Sequence, residues 1–233
     1  MLRIACDLDG TVADMDSAVQ REAMRLFGRE VELRGGDAGL EVPTKGEEGQ
    51  QGDALLTRAK GLTGRQMQRL WNHISQIENF WSSLPEIEPG SVARFAALTS
   101  LHRWEVIFLT QRPATAGDTS QLQSQKWLQA HGFALPAVYV MNGSRGKLAS
   151  AFGLHAVLDD RTDNCLDVVA ESKAKPILIW RGAPEVVPPG ATRLGLTPVF
   201  SFAAALVRLE EMMTAKTKRR NLAGRARKAI GLS

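Results

Sequence analysis

Long apolar runs are missing from this 233-residue chain, and cysteine is scarce. No stretch approaches the ~20 consecutive apolar residues of a membrane helix, so no spanning segment and no membrane partner are expected. Cysteine stands only at positions 6 and 165, which excludes a disulfide framework. The four histidines are scattered and never fall at zinc-binding spacing with cysteine. The first apolar run starts at residue 2, so we expect no signal peptide and a reducing, cytoplasmic setting. Acidic residues are absent from the last 18 positions, where seven of the 29 bases lie (Lys216, Lys218, Arg219, Arg220, Arg225, Arg227, Lys228). The remainder holds 22 bases against 25 acids, so the net charge of +4 is a property of the tail. That tail has no aromatic residue to stack on bases. We expect residues 216–233 to be frayed or disordered; the alternative is a nucleic-acid-associated protein making a weak nucleic-acid contact through this tail.

What remains is an ordinary globular composition, 44% hydrophobic and 23% charged, and long enough to bury a substantial core. Its organising stretch is Ile4-Ala5-Cys6-Asp7-Leu8-Asp9-Gly10-Thr11. A short buried strand ends in two carboxylates and a Gly-Thr turn. Residues two apart share a face if the strand continues through both. Two like charges so close cost energy unless a cation or a shared proton intervenes. Cys6, inside the strand, reads as a buried inert thiol.

Four further strands follow, near residues 105–110, 137–141, 156–158 and 176–180, each separated by a segment of helical spacing. Strands alternating with helices predict an α/β fold, a doubly wound parallel sheet that binds its ligands beyond the carboxyl ends of the strands. At those ends stand Thr110, then Lys147 at the start of a short helix, then Asp159-Asp160. With Asp7 and Asp9 these form an inventory for phosphoryl transfer: a nucleophile, oxygen ligands for a hard cation, donors for phosphate oxygens and a proton carrier. Magnesium suits such a set, since it prefers carboxylates and water. Arg112 and Arg161, adjacent to these positions, could clamp a phosphate or pair with a nearby Asp.

Residues 14–84 read as a mostly helical insert placed after the first strand. Met67, Leu70, Trp71, Ile74 and Ile77 recur there at helical spacing behind Thr63, a candidate cap. Gly35, Gly36, Gly39, Gly46, Gly49 and Gly52 interrupt the insert as a loop over residues 33–52, followed by a short helix over 53–60. The expected organisation is therefore a core of residues 1–13 and 85–215, a cap of 14–84 and the basic tail. Phe80 and Trp81 are adjacent, so one faces the core and the other is free to stack on a base or cover the site.

Asp-Leu-Asp-Gly-Thr-Val-Ala-Asp at residues 7–14 resembles the first motif of the haloacid dehalogenase superfamily. Thr110, Lys147 and Asp159-Asp160 follow in the order of that family's other motifs. The resemblance implies that Asp7 attacks phosphorus and Asp9 serves as general acid and base. It further implies that Thr110 holds the phosphoryl group and Lys147 offsets its charge. Mg²⁺ would be held by Asp7, the Asp9 carbonyl and the acidic pair, Asp160 directly with Asp159 beside it. Asn79 to Gly90 and Leu158-Asp159-Asp160-Arg161 are similar to segments of the 5′(3′)-deoxyribonucleotidases. That likeness implies a nucleoside 5′-monophosphate or a similar small phosphomonoester as substrate; Trp81, Arg112 and Arg161 are, from their own positions, the candidate substrate contacts. With the basic tail engaged, the alternative is a phosphatase of nucleic-acid ends. Thr110-Gln111-Arg112-Pro113 departs from that family's usual Thr-Ser-Pro, and the oligomeric state is left open.

Overall fold

In the computed structural model the chain is described over residues 1–28, 32–33, 59–60, 62–184, 187, 191, 193, 196 and 198–229. The loop expected over 33–52 and the helix expected over 53–60 lie almost wholly outside the described residues. At their margins Glu32–Leu33 (β2) pairs antiparallel with Ala59–Lys60 (β3), so the last two positions of the expected helix are strand.

A parallel five-stranded sheet carries the rest of the molecule. Its strands are Arg3–Asp7 (β1), Glu105–Thr110 (β4), Ala137–Val140 (β5), Ala156–Asp159 (β6) and Lys175–Leu178 (β7), in spatial order β5-β4-β1-β6-β7. β1 lies at the centre, with Cys6 opposite Phe108 on one side and Leu158 on the other. The order reverses at β1, so the chain runs outward in both directions from the strand that ends at Asp7. A crevice opens at such a reversal beyond the carboxyl ends. Its walls are the ends of β1, β4 and β6, where Asp7, Thr110 and Asp159 stand.

Strand alternation divides the core into two layers. Ile4, Cys6, Phe108, Val138, Leu158 and Ile177 belong to the large cluster on one face, and Ala5, Leu109 and Val157 to a smaller one on the other. Ser91–His102 (α3), Ser120–Ala130 (α4) and Phe202–Ala229 (α7) bring Phe95, Trp127, Phe202 and Leu206 to the large cluster. Arg145–Ala151 (α5) and Thr162–Glu171 (α6) cover the other face through Ala149 and Val168. Met15–Phe27 (α1) and Gly64–Ser75 (α2) bury Ala18, Val19, Leu70 and Ile74 in the large cluster too. Thr63 caps α2 in a full capping box with Gln66, and Asp14 caps α1 by accepting from the N–H of Ser17.

The basic tail does not fray where the sequence suggested. α7 continues to Ala229, adding the basic residues to a helix whose first turns are anchored by Phe202, Leu206 and Leu209. A helix already nucleated by packing extends cheaply, because each added residue contributes its own hydrogen bond. Among the described residues, no helix is long and apolar enough to cross a membrane.

Candidate functional site

Four carboxylates gather at the sheet's reversal point, and all are buried: Asp7 and Asp9 each 7% exposed, Asp159 0% and Asp160 3%. β1 ends at Asp7, and the chain turns at once instead of extending through Asp9. Val12 and Ala13 both donate N–H to the Leu8 carbonyl, closing a tight loop. Gly10 sits in that loop at φ +85°, a conformation costly for any residue with a side chain. The absent Cβ matters as well, since it would fall on the Asp160 carboxylate, 2.6 Å from its Cγ. Glycine here brings the turn after β1 against the acid that follows β6.

Two guanidiniums answer these charges. Arg112, 2% exposed, grips Asp9: Nη2 donates at 2.8 Å to Oδ1, and Nε donates at 3.0 Å to both oxygens. Thr110 adds its hydroxyl to Asp9 Oδ2 at 2.9 Å, so the hydroxyl expected to hold a phosphoryl group holds Asp9 instead. The remaining Arg112 nitrogen donates to Ser124 Oγ at 2.9 Å. Its guanidinium carbon lies 5.1 Å from the centre of the Trp81 ring.

Arg145 is the second cation. Its Nη2 donates to Asp7 Oδ1 at 2.8 Å, and its Nε lies 3.8 Å from Asp159. Both Nε and Nη1 are buried with no hydrogen-bond acceptor, and so is the hydroxyl of Thr11. Buried donors of this kind cost free energy until an acceptor arrives. The two on Arg145, the side chain that also holds Asp7, describe a place for an anion with several lone pairs.

The pocket is nevertheless short of positive charge. Burial pushes the Asp7 carboxyl well above the usual carboxylate range, and Asp159 pushes it further; Arg145 pulls it back, with Asp160 and Asp9 raising it again. Burial likewise raises Asp159, against the lowering effects of Arg145, the Arg161 N–H and Asn164. Cys6 is held protonated by burial first, then by the negative charges of Asp7 and Asp159, which makes it the inert thiol its place in β1 implied.

Several expected participants stand elsewhere. Lys147 is exposed on α5, and no hydrogen bond of its side chain occurs among the described residues; the cation at Asp7 is Arg145 instead. Residues two apart on a helix point some 200° away from each other, so only one of the pair can face the sheet. Gly146 decides which one. It lies so close to α6 that a Cβ there would strike the Asp167 carbonyl, while its N–H and the Ser144 hydroxyl both bond the Asp167 carboxylate. Cap residue Ser144 was a usable sequence signal, because it places residue 145, not 147, at the helix's first position.

Trp81 is fully buried, its Nε1 donating to the Pro113 carbonyl at 2.9 Å, so it supports Arg112 and offers no face to a ligand. Phe80, also buried, meets it edge to face at 5.0 Å. Arg161 donates its main-chain N–H to Asp159 Oδ1 at 2.9 Å, while its side chain points toward Asp163, 3.8 Å away. Asn164 donates to both Asp159 oxygens, leaving that carboxylate engaged at the head of α6. Asp160, against Gly10, is the member of the pair that lies beside the turn.

Two solved structures share this architecture. A hydrolase from Pseudomonas syringae superposes with a TM-score of 0.51 at 18% identity, over 91% of this chain and 99% of that one. A putative beta-phosphoglucomutase from Thermotoga maritima gives 0.52 at 14% identity, again over 91% and 99%. No protein-family model and no curated protein sequence matches the chain. At these identities the likeness establishes a shared fold.

Proposed function

We propose that this chain is a hydrolase of the haloacid dehalogenase superfamily, a magnesium-dependent phosphatase acting on a small phosphomonoester through an aspartyl-phosphate on Asp7. The observation that carries the reading is the buried Arg145. One of its N–H groups holds Asp7, and its Nε and Nη1 are buried without acceptors. A phosphoryl group delivered to Asp7 brings the oxygens these donors lack.

Charge supports a metal in the same place. Four buried carboxylates face two buried guanidiniums, an imbalance that a divalent cation removes. Among the described residues, no three His, Cys, Asp or Glu side chains converge to cage a metal ion. Magnesium needs no such cage, because it keeps several waters and takes one or two carboxylates together with substrate oxygens. Asp7 and Asp160 would hold it, with the Asp9 carbonyl as a further donor. Bound there, it would neutralise charge on the transferring phosphoryl group.

The chemistry then follows from the side chains. An Asp7 oxygen attacks phosphorus, the bond to the leaving oxygen breaks, and that oxygen takes a proton from Asp9 in its acid form and departs as an alcohol or its equivalent. Water next attacks the phosphoryl group while Asp9 accepts its proton; the Asp7–phosphorus bond breaks, freeing inorganic phosphate and restoring Asp7. Arg112 and Thr110 keep Asp9 oriented through both steps, and the Arg145 N–H groups meet the charge on the equatorial oxygens. Asp159 serves as the anchor of α6 and a neighbour of Arg145.

For the substrate we favour a nucleoside 5′-monophosphate, on the likeness of residues 79–90 to the deoxyribonucleotidases. The substrate-selecting cap would lie within residues 14–84 and the core in 1–13 and 85–215, with a cytoplasmic location. The test is steady-state phosphate release from a panel of nucleoside monophosphates and sugar phosphates, with and without Mg²⁺, for wild type and Asp7→Asn. We expect Mg²⁺-dependent turnover that Asp7→Asn abolishes. A wild type inert on the whole panel, or an active Asp7→Asn, would overturn the reading.

A further inference from the structure

Arg181 lies outside every motif considered so far, just beyond β7, yet its guanidinium reaches the turn after β1. Nε donates to the Gly10 carbonyl at 3.1 Å and Nη2 to the Thr11 carbonyl at 2.6 Å. The third nitrogen, Nη1, pairs with Glu88 at 2.7 Å. Glu88 in turn accepts the N–H groups of Phe202 at 2.6 Å and Ala203 at 3.2 Å, at the first turn of α7. One planar fork thus ties the turn that carries Asp9 to the head of the last helix.

The carbonyls of this turn can be accounted for one by one, as buried main-chain oxygens require. Leu8 accepts from Val12 and Ala13, Val12 from Ile87, and Ala13 from Gly10 and Met15. Gly10 and Thr11 accept from Arg181. Among the described residues, the Asp9 carbonyl is the one oxygen of the run with no donor. It lies between two residues whose surroundings are fixed: Leu8 precedes it in the core, and Gly10 follows it against the Asp160 carboxylate.

We propose that Arg181 is a positioning residue for the cation site. By occupying the Gly10 and Thr11 carbonyls, it leaves the Asp9 carbonyl as the turn's single available oxygen and keeps Gly10 seated against Asp160. This rests on the reading of the site as a magnesium-dependent phosphatase. Without Arg181, three adjacent carbonyls would compete for water and cation, and the peptide planes of the turn could rotate. Glu88 holds Arg181 in place, so its loss acts in the same direction but less strongly.

The experiment measures Mn²⁺ binding by calorimetry, together with kcat, KM and the Mg²⁺ activation constant on p-nitrophenyl phosphate. It uses full-length wild type, Arg181→Gln, Arg181→Lys and Glu88→Gln, with folding checked by near-UV circular dichroism. We expect Arg181→Gln to weaken Mn²⁺ binding and raise the Mg²⁺ activation constant by roughly 10- to 100-fold, as loss of outer-shell support does elsewhere. kcat at limiting Mg²⁺ should fall with it, KM should move less, and Arg181→Lys should recover part of the loss. Folded variants with wild-type Mn²⁺ affinity and activation constant would overturn the proposal. Should Arg181→Gln fail to fold, Arg181→Lys decides, because a single ammonium cannot span both carbonyls as the fork does; undiminished Mn²⁺ affinity there refutes the role. A wild type that neither binds Mn²⁺ nor hydrolyses the ester would instead refute the phosphatase reading beneath it.

Discussion

Replacing Arg145 by Met and Lys147 by Ala separates the two cations at the start of α5. Arg145 is 2% exposed and holds Asp7 at 2.8 Å, a contact worth about 6 kcal/mol of Coulomb energy at an effective dielectric constant near 20. Desolvation of both ions offsets much of that, and losing one partner of a buried pair typically costs about 3–5 kcal/mol. Asp7, already raised by burial and by Asp159, can take up a proton when the guanidinium goes, which places the expected loss near the lower end, about 3 kcal/mol. For a chain of this length that is a fall in Tm of roughly 6–12 °C. Activity should suffer more, by about 10²–10³ in kcat, since the N–H groups waiting for phosphate oxygens disappear as well. Lys147→Ala removes only an exposed side chain and should change stability by less than about 0.5 kcal/mol, with kcat near wild type. Urea denaturation and steady-state phosphate release on the same preparations supply both numbers. If Lys147→Ala abolished turnover while Arg145→Met retained it, the assignment of the cation from burial and contact would be refuted.

Gly10→Ala combines a positive φ with a Cβ driven into Asp160, so about 1–3 kcal/mol of destabilisation should accompany a near-total loss of Mg²⁺-dependent turnover; wild-type kinetics would contradict the close approach. Burial alone would raise the Glu88 carboxyl, but the Phe202 N–H, Arg181 and the Ala203 N–H together hold it below its ordinary value. Its contribution to stability is therefore present above the ordinary carboxylate range and lost as pH falls through the lowered value. Urea midpoints between about pH 5 and pH 3 should fall more steeply for wild type than for Glu88→Gln, and parallel curves would count against this. Trp81→Phe keeps an aromatic ring but loses the bond to Pro113, so we expect about 1 kcal/mol of destabilisation, with KM for a nucleotide and for a sugar phosphate changed equally. A selective rise in KM for the nucleotide would show that the ring meets a base. Truncation after residue 215 removes all seven tail cations, and fluorescence anisotropy with single-stranded DNA across a salt series reports whether they bind phosphate. The full chain should bind more tightly at low salt, and identical curves would leave the tail without that role.

The local pattern of the chain was enough for the scaffold. Apolar runs bounded by turn residues located β1, β4, β5, β6 and β7, and their alternation with helical segments implied the parallel sheet, because burial on both faces leaves that signature. It also showed that Asp7, Thr110 and Asp159 stand at strand ends, with Asp9 and Asp160 in the turns just beyond, since a strand's end is a local event. Partnership is not local. Arg145 and Lys147 are both basic residues at the start of one helix, and only the packing of Gly146 on α6 turns the first toward Asp7. Arg112 could have clamped a phosphate or paired with an Asp, and only the fold placed Asp9, 103 positions away, in its fork. Trp81 could have faced either way, and Pro113 and Arg112 determine that it faces inward. Arg181 carried no signal at all, because its two carbonyl acceptors lie about 170 positions earlier in the chain. Composition and spacing thus determined which elements form and which acids end them. The pairing of each charge was decided by tertiary structure, because a buried ion must find its counter-ion in space, and the distance along the chain does not constrain where that partner stands.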